Sequence, residues 1–296
     1  MAHRHLIAVA TYRRPVELDR LLTSLAASEG IDNAEIIVID NDPAGSARQV
    51  VDGAGLPVHY AIEPRVGIAA ARNRGLGEFD ERFHGILFVD DDEWVPPDWY
   101  ETITRFGAEH DADIVRGHVH TVLGPGAPRW ARRGTLFQRP VVPTGTVSRY
   151  AATNNSLLVR DAWVRAGSPR FDEAFSASGG EDVDFFRALQ DQGARIVACA
   201  EAVVFEDIPA DRMSLQSVCR RFLRAGITDV AVARKHREPL ILPALTGIPK
   251  SIVHTLLLGI DLLRGRGIRG ASMRGILYQL GWILGLLGVR MTSYRT

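Results

Sequence analysis

The feature that most narrows the fold of this chain is the alternation of short apolar runs with helical patterns over its first 120 residues. Leu6–Ala10 is an unbroken apolar run of strand length. Pro15 then opens a segment in which Leu18, Leu21, Leu22 and Leu25 recur at helical spacing. Glu35–Asp40 and Val58–Ile62 read as the next strands, and the Ala- and Arg-rich stretch Ile68–Leu76 as a helix. Gly85–Val89 is a fourth strand, and Ile114–Gly117 begins a fifth. Such alternation implies βαβ units and a mostly parallel sheet, an α/β class. The aperiodic segment Leu123–Gly145, rich in Gly, Pro and Arg, reads as a long loop, and such loops tend to carry function. A helical pattern returns over Leu215–Lys235.

Basic and acidic residues number 35 each, so overall charge gives no argument for a nucleic-acid partner. The charge is unevenly spread. After Leu240 stand Lys250, Arg264, Arg266, Arg269, Arg274, Arg290 and Arg295 against the single acid Asp261. The apolar runs Ile252–Leu263 and Ile276–Val289 lie between these basic residues, and each is shorter than the roughly 20 residues that span a bilayer. The expected division is a catalytic domain over 1–239 and a membrane-associating tail over 240–296. The tail would be interfacial or re-entrant on an anionic leaflet, with packing as ordinary core helices the alternative. Cys199 and Cys219 make no disulfide framework, and Met1–Val9 holds no long apolar signal region. The expected location is the cytoplasmic side of the membrane.

Two clusters of acids carry the chemistry. Ile86-Leu87-Phe88-Val89 runs directly into Asp90-Asp91-Asp92-Glu93. Ligands of open α/β sheets bind beyond the carboxyl ends of the strands. Consecutive acids there repel unless a cation or a donor network compensates them. Mg²⁺ or Mn²⁺, which keep substrate phosphates in their shell, would meet that need. Asp40-Asn41 forms a second acidic strand end, able to bind a base or ribose or simply to close an Asx turn. Further on, Ser178-Gly179-Gly180 leads into Glu181-Asp182 at a helix start. The helix dipole there favours ionised carboxylates, one of which could act as a general base, although capping alone would also explain them. Arg220 and Arg224 share a helix face and could grip a diphosphate.

Taken together these segments resemble the family 2 glycosyltransferases of the GT-A fold, a Rossmann-like mixed sheet flanked by helices. Within that family the likeness is to ExoM-like bacterial exopolysaccharide enzymes. The matching stretches are Val9–Pro15, Val38–Ala47, Glu63–Asn73, Val89–Trp94, Gly179–Asp182 and Glu206–Arg212, in the family's order. The resemblance implies a nucleotide-diphosphate sugar donor bound by Thr11, Tyr12, Arg14, Asp40, Asn41, Arg72, Asp90 and Asp91, with Tyr12 stacking on the base, Asp40 hydrogen-bonding it and Arg72 reaching base or ribose. It implies a metal on Asp92 and Asp90, with Glu206 as a third ligand where many relatives carry His. Asp182 would be the catalytic base, Glu181 would support the acceptor, and Arg220 or Arg221 would stabilise the leaving diphosphate. Ala10 and Arg13 depart from the family's common Pro and Asn. Gln216 followed by Arg220-Arg221-Phe222 differs in spacing from the motif of processive synthases, which favours addition of one sugar.

The implied reaction is inverting transfer of a hexose from a UDP-sugar to a lipid-linked or cell-surface saccharide. A nicotinamide oxidoreductase would carry Gly-X-Gly-X-X-Gly after the first strand, where Thr11-Tyr12-Arg13-Arg14 stands. A non-catalytic sugar-nucleotide-binding or membrane scaffold protein would not need Glu181-Asp182. A nucleotidyltransferase would need a Gly-rich triphosphate loop. Acceptor specificity is expected in Leu123–Gly145 and around Thr153-Asn154-Asn155, and Trp130 could stack on a sugar ring.

Overall fold

In the computed structural model, which describes residues 4–133, 136–264 and 270–292, strand β1 (His5–Thr11) runs between two parallel neighbours. These are β2 (Ala34–Asp40) and β4 (Gly85–Phe88), and β2 pairs in turn with β3 (Val58–Ile62), again in parallel. Helices α1 (Pro15–Ala26), α2 (Arg48–Asp52) and α3 (Ile68–Leu76) connect them. Alternate residues of β1 and β2 enter different cores. Ile7, Val9, Ile36 and Val38 pack with Leu18, Leu21, Leu22 and Leu25 of α1. Leu6, Ala8, Ile37 and Ile39 pack with Ala69, Ala71 and Leu76 of α3. Both faces are covered, which is why these strands are apolar at successive positions rather than alternating.

Beyond β4 the sheet changes character. Strand β8 (Ser156–Val159) pairs antiparallel with β4 and with β6 (Ile114–Val122), and the order is β3-β2-β1-β4-β8-β6-β9-β5. Here β9 is Ile196–Asp207 and β5 is Glu93–Trp94, while the short β7 (Val147–Ser148) pairs with β9. The sheet is therefore mixed, as the family resemblance implies, and the βα alternation that alone predicts a mostly parallel sheet governs only its first half. Asn155 fastens the second half. Its side chain accepts from Trp99 Nε1 and donates to the carbonyls of His118 and Ala202. Gly117 makes room for this, since a Cβ there would stand 2.5 Å from the Ala202 carbonyl oxygen. Asn155 is thus a buried joint and not the specificity element expected there. Helices α4 (Trp99–Glu109), α6 (Arg160–Arg165) and α7 (Glu181–Asp191) belong to the same unit, which comprises residues 1–120, 139–176 and 181–206.

The second unit comprises residues 121–138, 177–180 and 207–296. It contains the one-turn helix α5 (Arg129–Arg133) within the expected loop, then α8 (Leu215–Lys235), α9 (Ile241–Leu263) and α10 (Gly270–Leu286). Helix α8 therefore groups with the tail helices. Gly226 of α8 and Gly281 of α10 sit where any side chain would strike the facing backbone, so these two helices touch main chain to main chain. Trp130, a candidate sugar platform, tilts against Phe137 at 6.0 Å in an apolar cluster. Helix α9 corrects the expectation that no tail segment reaches spanning length. It begins at Ile241, because Pro249 lies inside the helix instead of stopping it. The stretch Ile241–Asp261 has a mean hydropathy of 1.4 and is long and apolar enough to cross a membrane, by length and composition. Of the basic residues counted in the tail, Arg266, Arg269 and Arg295 fall outside the described residues.

Candidate active site

The parallel register brings the carboxyl ends of β1 and β2 together, with Thr11 opposite Asp40. Asp40 is fully buried. Its oxygens accept from Asp42 N at 2.9 Å, Ala47 N at 2.8 Å and the Tyr60 hydroxyl at 2.8 Å. Burial, reinforced by the Asp40 hydrogen bond, pushes that hydroxyl up to about 12. The Asx-turn alternative therefore describes Asp40 in this structure, where its oxygens close the 40–47 loop. Asn41 is similarly engaged. Its amide donates to the carbonyls of Glu63 (2.8 Å) and Arg65 (2.7 Å) and accepts from Gly67 N (2.9 Å), shaping the entry to α3. Tyr12 is different, for it is 47% exposed and carries the Arg13 guanidinium 4.9 Å from its ring centre.

The acid run forms a loop with its own donor network. Arg14 Nη1 donates to both Asp91 Oδ1 and Asp92 Oδ2, each at 2.9 Å, and the Thr11 hydroxyl donates to Asp91 Oδ2 at 2.8 Å. Arg20 donates to the Asp92 carbonyl at 3.2 Å, with its guanidinium 3.9 Å from the centre of the Trp94 ring, which also stacks on Phe205. The β5–β9 pairing sets Glu93 opposite Glu206. Glu206 in turn accepts from Arg139 at 2.8 Å. Even so, the carboxylates are under electrostatic pressure. Burial and then the charge of Asp90 push Asp92 up to about 6, and the same two causes lift Glu93 well above the usual range.

Among the described residues, no three His, Cys, Asp or Glu side chains form a ready-made metal cage. The donors nevertheless suit a hard divalent cation. All are carboxylate oxygens, Asp90 and Asp92 remain 39% and 19% exposed, and Asp90 and Glu206 both raise Asp92 by their charge. A cation beside Asp90 and Asp92 would relieve that repulsion.

Arg72 joins this loop to the second acid cluster. Its Nη1 donates to Glu181 Oε1 at 2.6 Å and its Nη2 to Asp90 Oδ1 at 3.2 Å. In this structure its guanidinium therefore lies between two carboxylates, where the resemblance implies a contact with base or ribose. The neighbouring Asn73 fixes α3 by exchanging hydrogen bonds with the Phe171 backbone (2.8 and 2.9 Å). Phe171 stacks at 4.1 Å on Phe185 of α7. Two glycines with positive φ, Gly179 and Gly180, lead into α7, whose first turn holds Glu181, Asp182 and Asp184. Burial, then the charge of Glu181, push Asp182 up to about 6, with Arg72 opposing. Burial thus outweighs the helix dipole in setting this carboxyl, yet leaves it below neutral pH. A cavity of about 10 Å³, enough for one water, opens among Ala10, Arg72, Asp90 and Thr153.

Arg220 and Arg221 lie exposed on α8, in the second unit. Arg139 and Arg20 are the contributors that sequence reasoning missed. Arg20 stands in an amphipathic helix where surface arginines are ordinary, and Arg139 stands in an aperiodic segment that offers no signal.

The chain matches the glycosyl transferase family 2 over residues 6–165. It is 39% identical to the succinoglycan biosynthesis protein ExoM of Rhizobium meliloti over 229 residues, 75% of this chain and 72% of that one. It is 26% identical to the validoxylamine A glucosyltransferase of Streptomyces hygroscopicus over 258 residues, 74% of this chain and 60% of that one. Among solved structures it resembles residues 1–349 of S. aureus TarS in complex with UDP, with a TM-score of 0.56 at 17% identity, covering 97% of this chain and 92% of that one. The same TarS segment in complex with UDP-GlcNAc matches with a TM-score of 0.54. The fold is that of the GT-A glycosyltransferases.

Proposed function

This chain belongs to glycosyl transferase family 2, and on that premise we propose that it is an inverting enzyme. It passes a hexose from a UDP-sugar to a lipid-linked or other glycan acceptor at the cytoplasmic face of a membrane. The observation that carries this reading is the Asp90–Arg72–Glu181 bridge, which ties the acid loop to the first turn of α7. The UDP and UDP-GlcNAc held by TarS support a uridine donor, and the kinship with ExoM supports a role in exopolysaccharide assembly.

In this mechanism Tyr12 stacks on the base, and Thr11 and Arg14 hold the acid loop in shape. Asp182 takes the proton of the acceptor hydroxyl as its oxygen attacks the anomeric carbon. The new glycosidic bond forms as the bond to the phosphate oxygen breaks, and the diphosphate leaves with that electron pair. Attack from the opposite face inverts the anomeric centre. Bound by Asp92, Asp90 and Glu206, Mg²⁺ or Mn²⁺ would supply charge neutralisation of the leaving diphosphate. An Asp182 carboxyl at about 6 is mostly ionised at neutral pH while still a competent base. The test is Asp182→Asn with UDP release and UDP binding measured together. Turnover should vanish with UDP binding retained, whereas near-normal turnover would remove Asp182 from the role of base.

A further inference from the structure

Helix α9 is apolar on the side away from its partner helix. Leu242, Leu245, Ile252, Val253, Leu256 and Ile260 are all exposed. The side chains of α9 that line its cleft with α10 are small or polar, among them Thr246, Lys250, Ser251 and His254, with Thr246 and Lys250 also open to the surface. A soluble amphipathic helix has the reverse arrangement. Only 6% of the Ile241–Asp261 stretch is buried within the protein. Its outer face therefore needs hydrocarbon, while its inner face needs something polar.

The inner face encloses a cleft of about 270 Å³, close to the lower end of small-molecule sites, roughly 300 Å³. Both ends of the cleft are pinned. At one end the Gln279 amide fills the notch at Gly247 and donates to the Ala244 carbonyl at 2.9 Å. At the other, the His254 ring lies against Gly275, with Nδ1 3.4 Å from the Ser272 hydroxyl. Between the pins lie Lys250 and Ser251 on one wall and Tyr278 on the other. Ionisable groups inside membrane-length apolar helices mark ligand sites. A site of one cationic side chain with hydroxyl and imidazole groups suits a phosphate oxyanion. Because the outer wall is lipid-facing, the ligand enters sideways with its own hydrocarbon chain.

We propose that the cleft between α9 and α10 binds the phosphate headgroup of a membrane lipid, with Lys250 as its charge partner and Ser251 and His254 as hydrogen-bonding groups. The inference rests on the reading of the tail as membrane-associated, and gives the lipid-linked acceptor of the proposed reaction an anchoring point.

The test is flotation of the full chain with phosphatidylcholine vesicles doped with either phosphatidic acid or oleic acid at equal surface charge. The phosphate lipid should hold the chain about tenfold more tightly, a difference near 1.4 kcal/mol. Lys250→Gln should erase that preference. Simple surface attraction, about 1 kcal/mol per basic residue, would instead lower binding to both anionic vesicles alike and overturn the site. Ser251→Leu fills the cleft without altering charge and should erase the preference while leaving partition into neutral vesicles intact. A preference that survives both variants refutes the proposal. Its abolition by inorganic phosphate alone would assign the cleft to soluble anions and not to lipid. UDP release in the same samples separates the two readings. Donor turnover absent with the preference intact removes the glycosyl-transfer mechanism and leaves the cleft; the preference absent with turnover intact removes the cleft alone.

Discussion

Replacing Arg72 with Met removes the cation that two carboxylates share while keeping the length of the side chain. In the structure the Arg72 side chain is 10% exposed and that of Glu181 is 8% exposed, with 2.6 Å between Nη1 and Oε1. The second Glu181 oxygen already has no partner, so Arg72→Met leaves a buried carboxylate without compensation. Breaking a buried pair from one side costs about 3–5 kcal/mol. The Asp90 contact, longer and with Asp90 more exposed, adds no more than about 1 kcal/mol. At about 2–4 °C per kcal/mol for units of this size, the melting midpoint should fall by about 6–24 °C. Glu181→Gln removes the buried charge, so the double variant should recover most of the loss. Urea unfolding of the parent, both single variants and the double variant would give a coupling energy of about 2 kcal/mol or more. A loss below about 1 kcal/mol, or a double variant no better than Arg72→Met, would refute the bridge as the joint between the two motifs. Arg72 also opposes the rise of Asp182. Its removal should therefore move the acid limb of the rate profile to higher pH.

Asp182 is held at about 6 in the fold against 3.8 for an ordinary aspartate. The folded state therefore favours the protonated form, and the cost of ionising this residue grows as pH rises from about 4 to 6, then stays constant. Asp182→Asn should consequently be more stable than the parent by about 2–3 kcal/mol at pH 7, with the gap closing at pH 4 in urea unfolding; equal stability at both pH values would contradict the shift. The parent's kcat/KM should rise with pH through about 6 and then level, because only the ionised base accepts a proton; a profile flat from pH 5 to 8 would exclude this. Asp92→Ala should abolish the tightening of UDP binding by Mn²⁺ in calorimetric titration, and an unchanged titration would remove Asp92 from the ligand set. Gly117→Ala should destabilise by about 3 kcal/mol, since its methyl meets the Asn155 amide and the Ala202 carbonyl; near-parent unfolding would show that this joint relaxes freely.

The parallel half of the sheet was legible because Leu6–Ala10, Glu35–Asp40 and the α1 leucines obey simple periods and pair with near neighbours in sequence. The antiparallel half was not. Four residues of β8 insert beside β4 across a separation of some 70 positions, and so short a run carries no period. The acid run was readable as a strand end, but not its compensation by Arg14. The loop-closing contacts of Asp40 were open as an Asx turn, but those of Asn41 with Glu63, Arg65 and Gly67 were not, since they join positions more than 20 residues apart. Helix α9 was read short because the apolar run was bounded by basic residues, whereas the helix runs back through Lys250 and Pro249 to Ile241.

Arg14, shared by Asp91 and Asp92, has a consequence for how cells supply such a protein. Many metalloproteins fold only around their ion, so synthesis and metal uptake are one event. An acid loop that carries its own guanidinium separates the two, allowing the chain to mature before any cation arrives. If the proposed Mg²⁺ or Mn²⁺ completes the loop, chelation should silence the protein reversibly without unfolding it, and readdition of Mg²⁺ should restore it without a refolding delay. The fraction of the protein in a metal-bound state would then follow the free divalent-ion level of the compartment from moment to moment.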